Sequence, residues 1–252
     1  MATTTTTTKT TKQKKTDCWQ DVEQTLEAGV NRLVLYGPPG TGKTYAGLTM
    51  ATKDRPTFRL ICTPDMTNAD VTGAWMPNEK GTFSWHEGQA VKAWRTGGRL
   101  IVDEIDKAGG DVFATLLAMT DSPESCKWEN PQTGKVETPQ EGFSVVMTTN
   151  LENLEDLPEA IRSRFPIRIR INKPHHTALE RLSPDLRDYA ERSADLGERR
   201  IDLRTFFAYD SLRKSVGAER AAHLIFDDKA KDFLTAIKID QINGAKLAEK
   251  SE

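Results

Sequence analysis

Cysteine is scarce in this chain: Cys18, Cys62 and Cys126 are the only three among 252 residues, and they lie far apart. Spaced that way they build neither a disulfide scaffold nor a metal knuckle, and a reducing, cytoplasmic setting is the expectation. Long apolar runs are missing too. No stretch approaches the ~18–20 apolar residues that cross a bilayer, and the N-terminus has no apolar signal segment, so no membrane partner is expected. Charge of one sign is also not in excess, with a formal net charge of −2 and a pI near 6.2. That argues against a general polyanion binder, although a local basic surface in an assembly keeps nucleic acid open as a partner. Residues 1–16 (MATTTTTTKTTKQKKT) are Thr/Lys low-complexity sequence and read as a disordered tail. Only residues 17–36 separate this tail from the first motif, so no separate N-terminal recognition domain is expected.

That motif is GPPGTGKT at 37–44, an unbroken match to G-x-x-x-x-G-K-[ST]. It sits between an apolar run, RLVLY (32–36), and a helix-compatible one, the context a phosphate-binding loop needs. Gly37, Gly40 and Gly42 let backbone amides approach the phosphates, Pro38 and Pro39 stiffen the turn, and Thr41 completes the loop. Lys43 then reaches the β- and γ-phosphates, and the Thr44 hydroxyl takes Mg²⁺. Downstream, RLIVDE (99–104) ends an apolar run in two carboxylates. Asp103 is the expected support of the Mg²⁺ shell and Glu104 the group that directs water at the γ-phosphate. Asp106 is read as a residue that caps or orients the loop, outside the central set.

Five runs read as strands: RLVLY (32–36), FRLICT (58–63), RLIVDE (99–104), FSVVMTT (143–149) and PIRIRI (166–171). The first four are largely apolar, as strands buried by crossover helices should be. PIRIRI alternates Ile with Arg and is expected at a sheet edge. Helices are expected over 17–29, 43–52, 87–96, 111–120 and 159–164. After Asn172-Lys173-Pro174 the pattern turns helical throughout, over 177–193, 203–216, 218–226 and 229–242. A large α/β domain over 17–173 and a small helical domain over 174–252 follow from that change.

Three further polar residues are candidates. Asn150, at the end of the fourth run, is placed to hydrogen-bond the attacking water, with Thr148 and Thr149 as nearby alternatives. Arg164 in LPEAIRSRFP has no path to its own site, but in a ring it would reach the next subunit's γ-phosphate; Arg162 is the competing choice. Arg204, in IDLRTFFAY, would point from the small domain toward the γ-phosphate. His86-Glu87 and His175-His176 lack further spaced ligands and are not read as metal sites.

Together these pieces resemble the AAA+ ATPases, over essentially everything from about residue 20 onward. The resemblance implies a P-loop NTPase core of class α/β, with a five-stranded parallel sheet in the order 5-1-4-3-2 followed by a small all-helical lid. It implies ATP and Mg²⁺ as cofactors, ATP hydrolysis, and a homo-oligomeric, hexameric ring. GPPGTGKT, RLIVDE, Asn150, Arg164 and Arg204 match Walker A, Walker B, sensor 1, arginine finger and sensor 2 of that family. The Arg204 context departs from the pattern, with Asp202 and Leu203 where Ser or Pro is usual.

Residues 70–108 are similar to the MoxR-like, dynein-related branch, through Thr72-Gly73, Gly81, Phe83, Trp85, Gly88, Ala93 and Gly97-Gly98. That branch carries a β–α–β insert in helix 2 and a hairpin before sensor 1, here 125–146 with turns at Asn130-Pro131 and Thr133-Gly134. The branch implies a motor that remodels a protein or metalloenzyme beside a von Willebrand A-type partner. A nucleic-acid-coupled motor and a nucleotide-dependent assembly switch are the alternatives.

Overall fold

The computed structural model describes residues 17–52, 55–122, 124–194, 196–197 and 200–248. The tail expected over 1–16 lies outside the described residues, as do the closing residues 249–252.

The main sheet is built from β1 (Arg32–Tyr36), β2 (Thr57–Ile61), β5 (Arg99–Asp103), β8 (Ser144–Thr148) and β9 (Ile167–Arg170). All are parallel, in the order β2-β5-β8-β1-β9. Numbered among themselves and read from the β9 edge, the five core strands run 5-1-4-3-2, the order the resemblance implied. β1 and β8 are buried on both faces, and their side chains alternate between two cores with the period of a strand. Val34, Val145 and Met147 join one core with α4 (Gln89–Thr96), α5 (Gly110–Met119) and α6 (Glu159–Arg164). Leu33, Leu35 and Val146 join the other, with Trp19, Val22 and Leu26 of α1 (Cys18–Glu27) and Ala46 of α2 (Lys43–Thr49).

β9 takes the expected edge. Ile171, just past it, is fully buried, whereas Ile167, on the same face at the start of the strand, is 37% exposed. β2 occupies the opposite edge and is only partly covered, since Arg59 and Ile61 face outward although its sequence is largely apolar.

The insert departs from the β–α–β form. After α3 (Asn68–Thr72), strands β3 (Gly73–Pro77) and β4 (Phe83–Glu87) pair directly as an antiparallel hairpin with no helix between them. Asn78 explains the tight return: its Oδ1 accepts from the Lys80 and Thr82 amides at 3.1 Å, closing the turn locally. A second hairpin, β6 (Trp128–Asn130) and β7 (Lys135–Glu137), turns through Pro131–Gly134 as expected. Trp85 links the two hairpins, tilted on Trp128 at 6.2 Å and edge-on to Trp75 at 5.8 Å.

Beyond residue 174 the chain is helical: α7 (His176–Glu180), α8 (Pro184–Ser193), α9 (Leu203–Val216), α10 (Ala218–Phe226) and α11 (Ala230–Ala248). The helix expected over 177–193 is in fact two. Pro184 has no N–H and starts α8, while the Ser183 amide and hydroxyl both donate to Asp210 Oδ2, at 3.1 and 3.0 Å. These helices enclose their own cluster around Leu186, Phe206, Tyr209 and Phe233. Among the described residues no helix is long and apolar enough to cross a membrane.

Candidate active site

β1, between β8 and β9, delivers the chain into Gly37 at the sheet's C-terminal edge. Gly37 has φ 118°, and a Cβ there would lie 2.7 Å from the Ile171 carbonyl oxygen, so only glycine fits. The loop through Pro38, Pro39, Gly40, Thr41 and Gly42 then closes on itself. The Thr41 hydroxyl donates to the Pro38 carbonyl at 3.2 Å. Lys43 is 5% exposed, and its ammonium donates to the carbonyls of Gly37 at 2.8 Å and Pro38 at 2.7 Å. Its third donor goes to Asn150 Oδ1 at 3.0 Å. Burial, and after it the nearby positive charge of Arg200, pull the Lys43 ammonium down to a pKa of about 8.

The next residue, Thr44, donates its hydroxyl to Asp103 Oδ1 at 2.7 Å. Thr148 also donates to that oxygen, and Arg59 donates to Oδ2 through Nε at 3.1 Å and through Nη2. Burial acts to raise the Asp103 carboxyl, but the hydrogen bonds from Thr148, Arg59 and Thr44 outweigh it and hold the group below its usual range. Glu104, immediately after β5, lies in the left-handed region, φ 57°, a strained conformation for a residue with a Cβ. This turn sends Oε1 toward Asn150, whose Nδ2 donates to it at 3.2 Å. Oε2 pairs with Lys107 at 2.5 Å. Asn150 therefore bridges Lys43 and Glu104 with its two amide ends. Asp106 accepts from the Thr149 hydroxyl at 2.6 Å, a bond between the segment after β5 and the end of β8.

Thr44 and Asp103 offer hard oxygen donors, a set that suits Mg²⁺. Among the described residues no group of three or more His, Cys, Asp or Glu could cage a metal alone. A cation held by one carboxylate, one hydroxyl and the phosphates of a nucleotide is the arrangement these residues fit.

Two of the expected residues stand elsewhere. Arg164 donates through Nε to Asp121 at 2.9 Å and through Nη1 to the Ala160 carbonyl at 3.2 Å, with no bond to any residue of the site. Arg162 is not in the site either, and its buried Nε has no partner. Arg204 opens α9, its amide capped by Asp202 at 2.8 Å, and its charge lies close enough to Lys43 to lower that ammonium further.

Three residues escaped the sequence reading. Arg200 donates to the Pro39 carbonyl at 2.5 Å and is the cation with the larger effect on Lys43. Asp202 lies directly on the loop: a Cβ on Gly40 would fall 1.8 Å from its Oδ1. Arg59, on β2, is the third, and an arginine interrupting an apolar run was its only signal.

The family model for the AAA domain, dynein-related subfamily, matches residues 32–165, which take in the loop, both carboxylates, Asn150 and Arg164. The chain belongs to this family. It is an AAA+ ATPase. Such proteins bind ATP and commonly oligomerise. The AAA chain is 26% identical to midasin from Dictyostelium discoideum over 58% of its own length and 2% of the relative's. It is 25% identical to the Holliday junction branch migration complex subunit RuvB from Lactiplantibacillus plantarum, over 88% of its own length and 59% of RuvB's. It thus spans less than two thirds of either relative. Among solved structures, NtrX from Brucella abortus matches with a TM-score of 0.54 at 14% identity, covering 79% of this chain and 49% of NtrX. A second NtrX structure, in complex with ATP, matches with a TM-score of 0.52 at 15% identity, over 78% of this chain and 50% of that one. These likenesses show the fold.

Proposed function

We propose that this AAA+ ATPase is a motor subunit in which a large α/β domain (17–173) and a helical lid (174–252) enclose Mg²⁺-ATP and drive a protein or metalloenzyme partner. In this reading Gly37, Pro38, Pro39, Gly40, Thr41 and Gly42 wrap the phosphates and Lys43 neutralises them. Thr44 and Asp103 hold Mg²⁺, which supplies charge neutralisation at the phosphoryl oxygens. Glu104 orients and polarises the attacking water, with Asn150 fixing the carboxylate relative to Lys43. Arg204 reads the phosphate end from the lid, and Arg164 acts on the neighbouring subunit's nucleotide in a hexameric ring.

The observation that carries the reading is the Asn150 bridge between Lys43 and Glu104, because it ties the phosphate-binding cation to the water-directing carboxylate through one neutral amide. Exposed apolar side chains on the insert support a protein client: Trp75, Met76 and Phe83 are 46%, 48% and 66% exposed on one hairpin. A von Willebrand A-type partner is the class of companion this branch suggests. The likeness to RuvB favours a second reading, a motor coupled to nucleic acid. Turnover stimulated by single- or double-stranded polynucleotide would select it.

Glu104→Gln should bind Mg²⁺-ATP while turning over about 10²–10⁴-fold more slowly. Immobilised with ATP, it should retain the client, and the retained macromolecule identifies which reading holds. Lys43→Ala should lose ATP affinity and retain nothing. Wild-type turnover in Glu104→Gln, or undiminished ATP affinity in Lys43→Ala, would defeat the assignment.

A further inference from the structure

Asp103 carries more hydrogen bonds than a metal-binding carboxylate needs. Oδ1 accepts from Thr44 and Thr148, and Oδ2 accepts from two nitrogens of Arg59. The pair is unequal in exposure: the Asp103 side chain is 6% exposed and that of Arg59 43%. The acid is therefore fixed in the interior, and the cation is the member free to leave toward solvent. Arg59 reaches it from the edge strand β2, and among the described residues β2 pairs with β5 alone and no further strand lies on its outer side.

A buried carboxylate without a counter-charge is costly, and two hydroxyls do not neutralise it. Left alone, Asp103 beside Thr44 would present an anionic oxygen pair to any divalent cation in solution. Resting on the reading of Asp103 as the metal's carboxylate, we propose that Arg59 is a positioning residue that stands in for the metal. Its guanidinium neutralises Asp103 and occupies Oδ2 until a divalent cation arrives already bound to the triphosphate. The consequence is order: the site takes metal with nucleotide and rejects metal alone. A like charge beside the carboxylate weakens capture of a free dication electrostatically, and occupation of Oδ2 weakens it again by removing a donor. With a triphosphate present, the added negative charge reverses that balance.

Mn²⁺ binding to nucleotide-free protein, read by the paramagnetic resonance of free Mn²⁺, tests this without relying on turnover. Wild type should bind Mn²⁺ weakly. Arg59→Gln should bind one Mn²⁺ at least about ten-fold more tightly, and Arg59→Lys should fall between the two. The double variant Arg59→Gln, Asp103→Asn should lose the gain. In the unaltered protein, the Arg59 Nε–H should be protected from solvent exchange and lose protection with Mg²⁺-ATP, but not with ATP in chelator.

A plain structural ion pair predicts lower thermal stability for Arg59→Gln with unchanged Mn²⁺ affinity, and that result would overturn the proposal. If Arg59→Gln does not fold, the exchange measurement decides alone, and protection that survives Mg²⁺-ATP rejects it. An Asp103→Asn protein that still needs Mg²⁺ at wild-type concentrations would instead sink the reading of Asp103.

Discussion

At the scale of single residues, the charges of the site are satisfied by internal partners. Lys43 spends all three donors on Gly37, Pro38 and Asn150, and its pKa of about 8 lies below the ordinary 10.5. The sign of the linkage follows. Between those values the unfolded chain binds the proton more firmly than the folded one, so this group adds stability as pH rises through about 8 toward 10.5. A bound triphosphate favours the charged form and pulls the folded value back up. ATP binding should therefore take up a fraction of a proton at pH about 8.5 and almost none at about 6.5, where Lys43 is already charged. Calorimetric titration in buffers of differing ionisation enthalpy measures this uptake, and equal values at both pH settings would refute it.

The motif residues were legible because phosphate chemistry fixes their type and spacing along eight consecutive positions. Arg59 and Arg200 were not. Their partners lie 44 and 161 residues away, Asp103 and Pro39, and no local pattern announces such a pairing.

At the scale of elements, strands and short helices followed from pattern, and the failures have tertiary causes. β1 shows the expected burial because it is central, whereas β2 has a similar sequence and an exposed edge. The break at 181–183 needed Asp210 of α9 to satisfy Ser183, information absent from the 177–193 window itself. The insert hairpin depends on one close approach. Gly88 precedes α4 with φ −73°, ordinary for any residue, yet a Cβ there would meet the Val71 carbonyl oxygen at 2.4 Å and the Thr72 nitrogen at 2.8 Å. Both are backbone atoms and cannot turn aside. Gly88→Ala should therefore force α3 away from α4 and cost about 1–3 kcal/mol, seen as a lower denaturation midpoint. Gly81, at the hairpin tip with φ 73°, has open space around its would-be Cβ. Gly81→Ala should cost only the smaller conformational penalty of a positive φ, about 1 kcal/mol. Equal losses in both variants would show that packing at Gly88 is not limiting.

At the scale of the whole molecule, α1 ties the sheet to the segment that leads into the helices. Trp19 packs beside Gly42 of the loop, donates its indole N–H to the Lys173 carbonyl at 2.9 Å and meets His175 edge-on at 5.0 Å. From the other side, Arg200 donates to the Pro39 carbonyl and Asp202 lies against Gly40, so residues just ahead of α9 touch the phosphate loop directly. Arg164 belongs to neither contact. It is held by Asp121 in an ion pair whose side chains are 34% and 26% exposed, and such solvent-reached pairs add little net stability.

If Arg164 acts across an interface, Lys43→Ala and Arg164→Ala proteins should each be inactive alone yet complement when mixed. A competent site then needs an Arg164→Ala subunit for its loop and a Lys43→Ala neighbour for its arginine. Random assembly at equal amounts makes about a quarter of the interfaces competent in a closed ring. ATPase activity of the mixture should thus approach about a quarter of wild type after exchange, provided each site works independently. A mixture as inactive as its components would mean that Arg164 serves its own subunit through Asp121, and the interface role would pass to Arg162 or fail altogether.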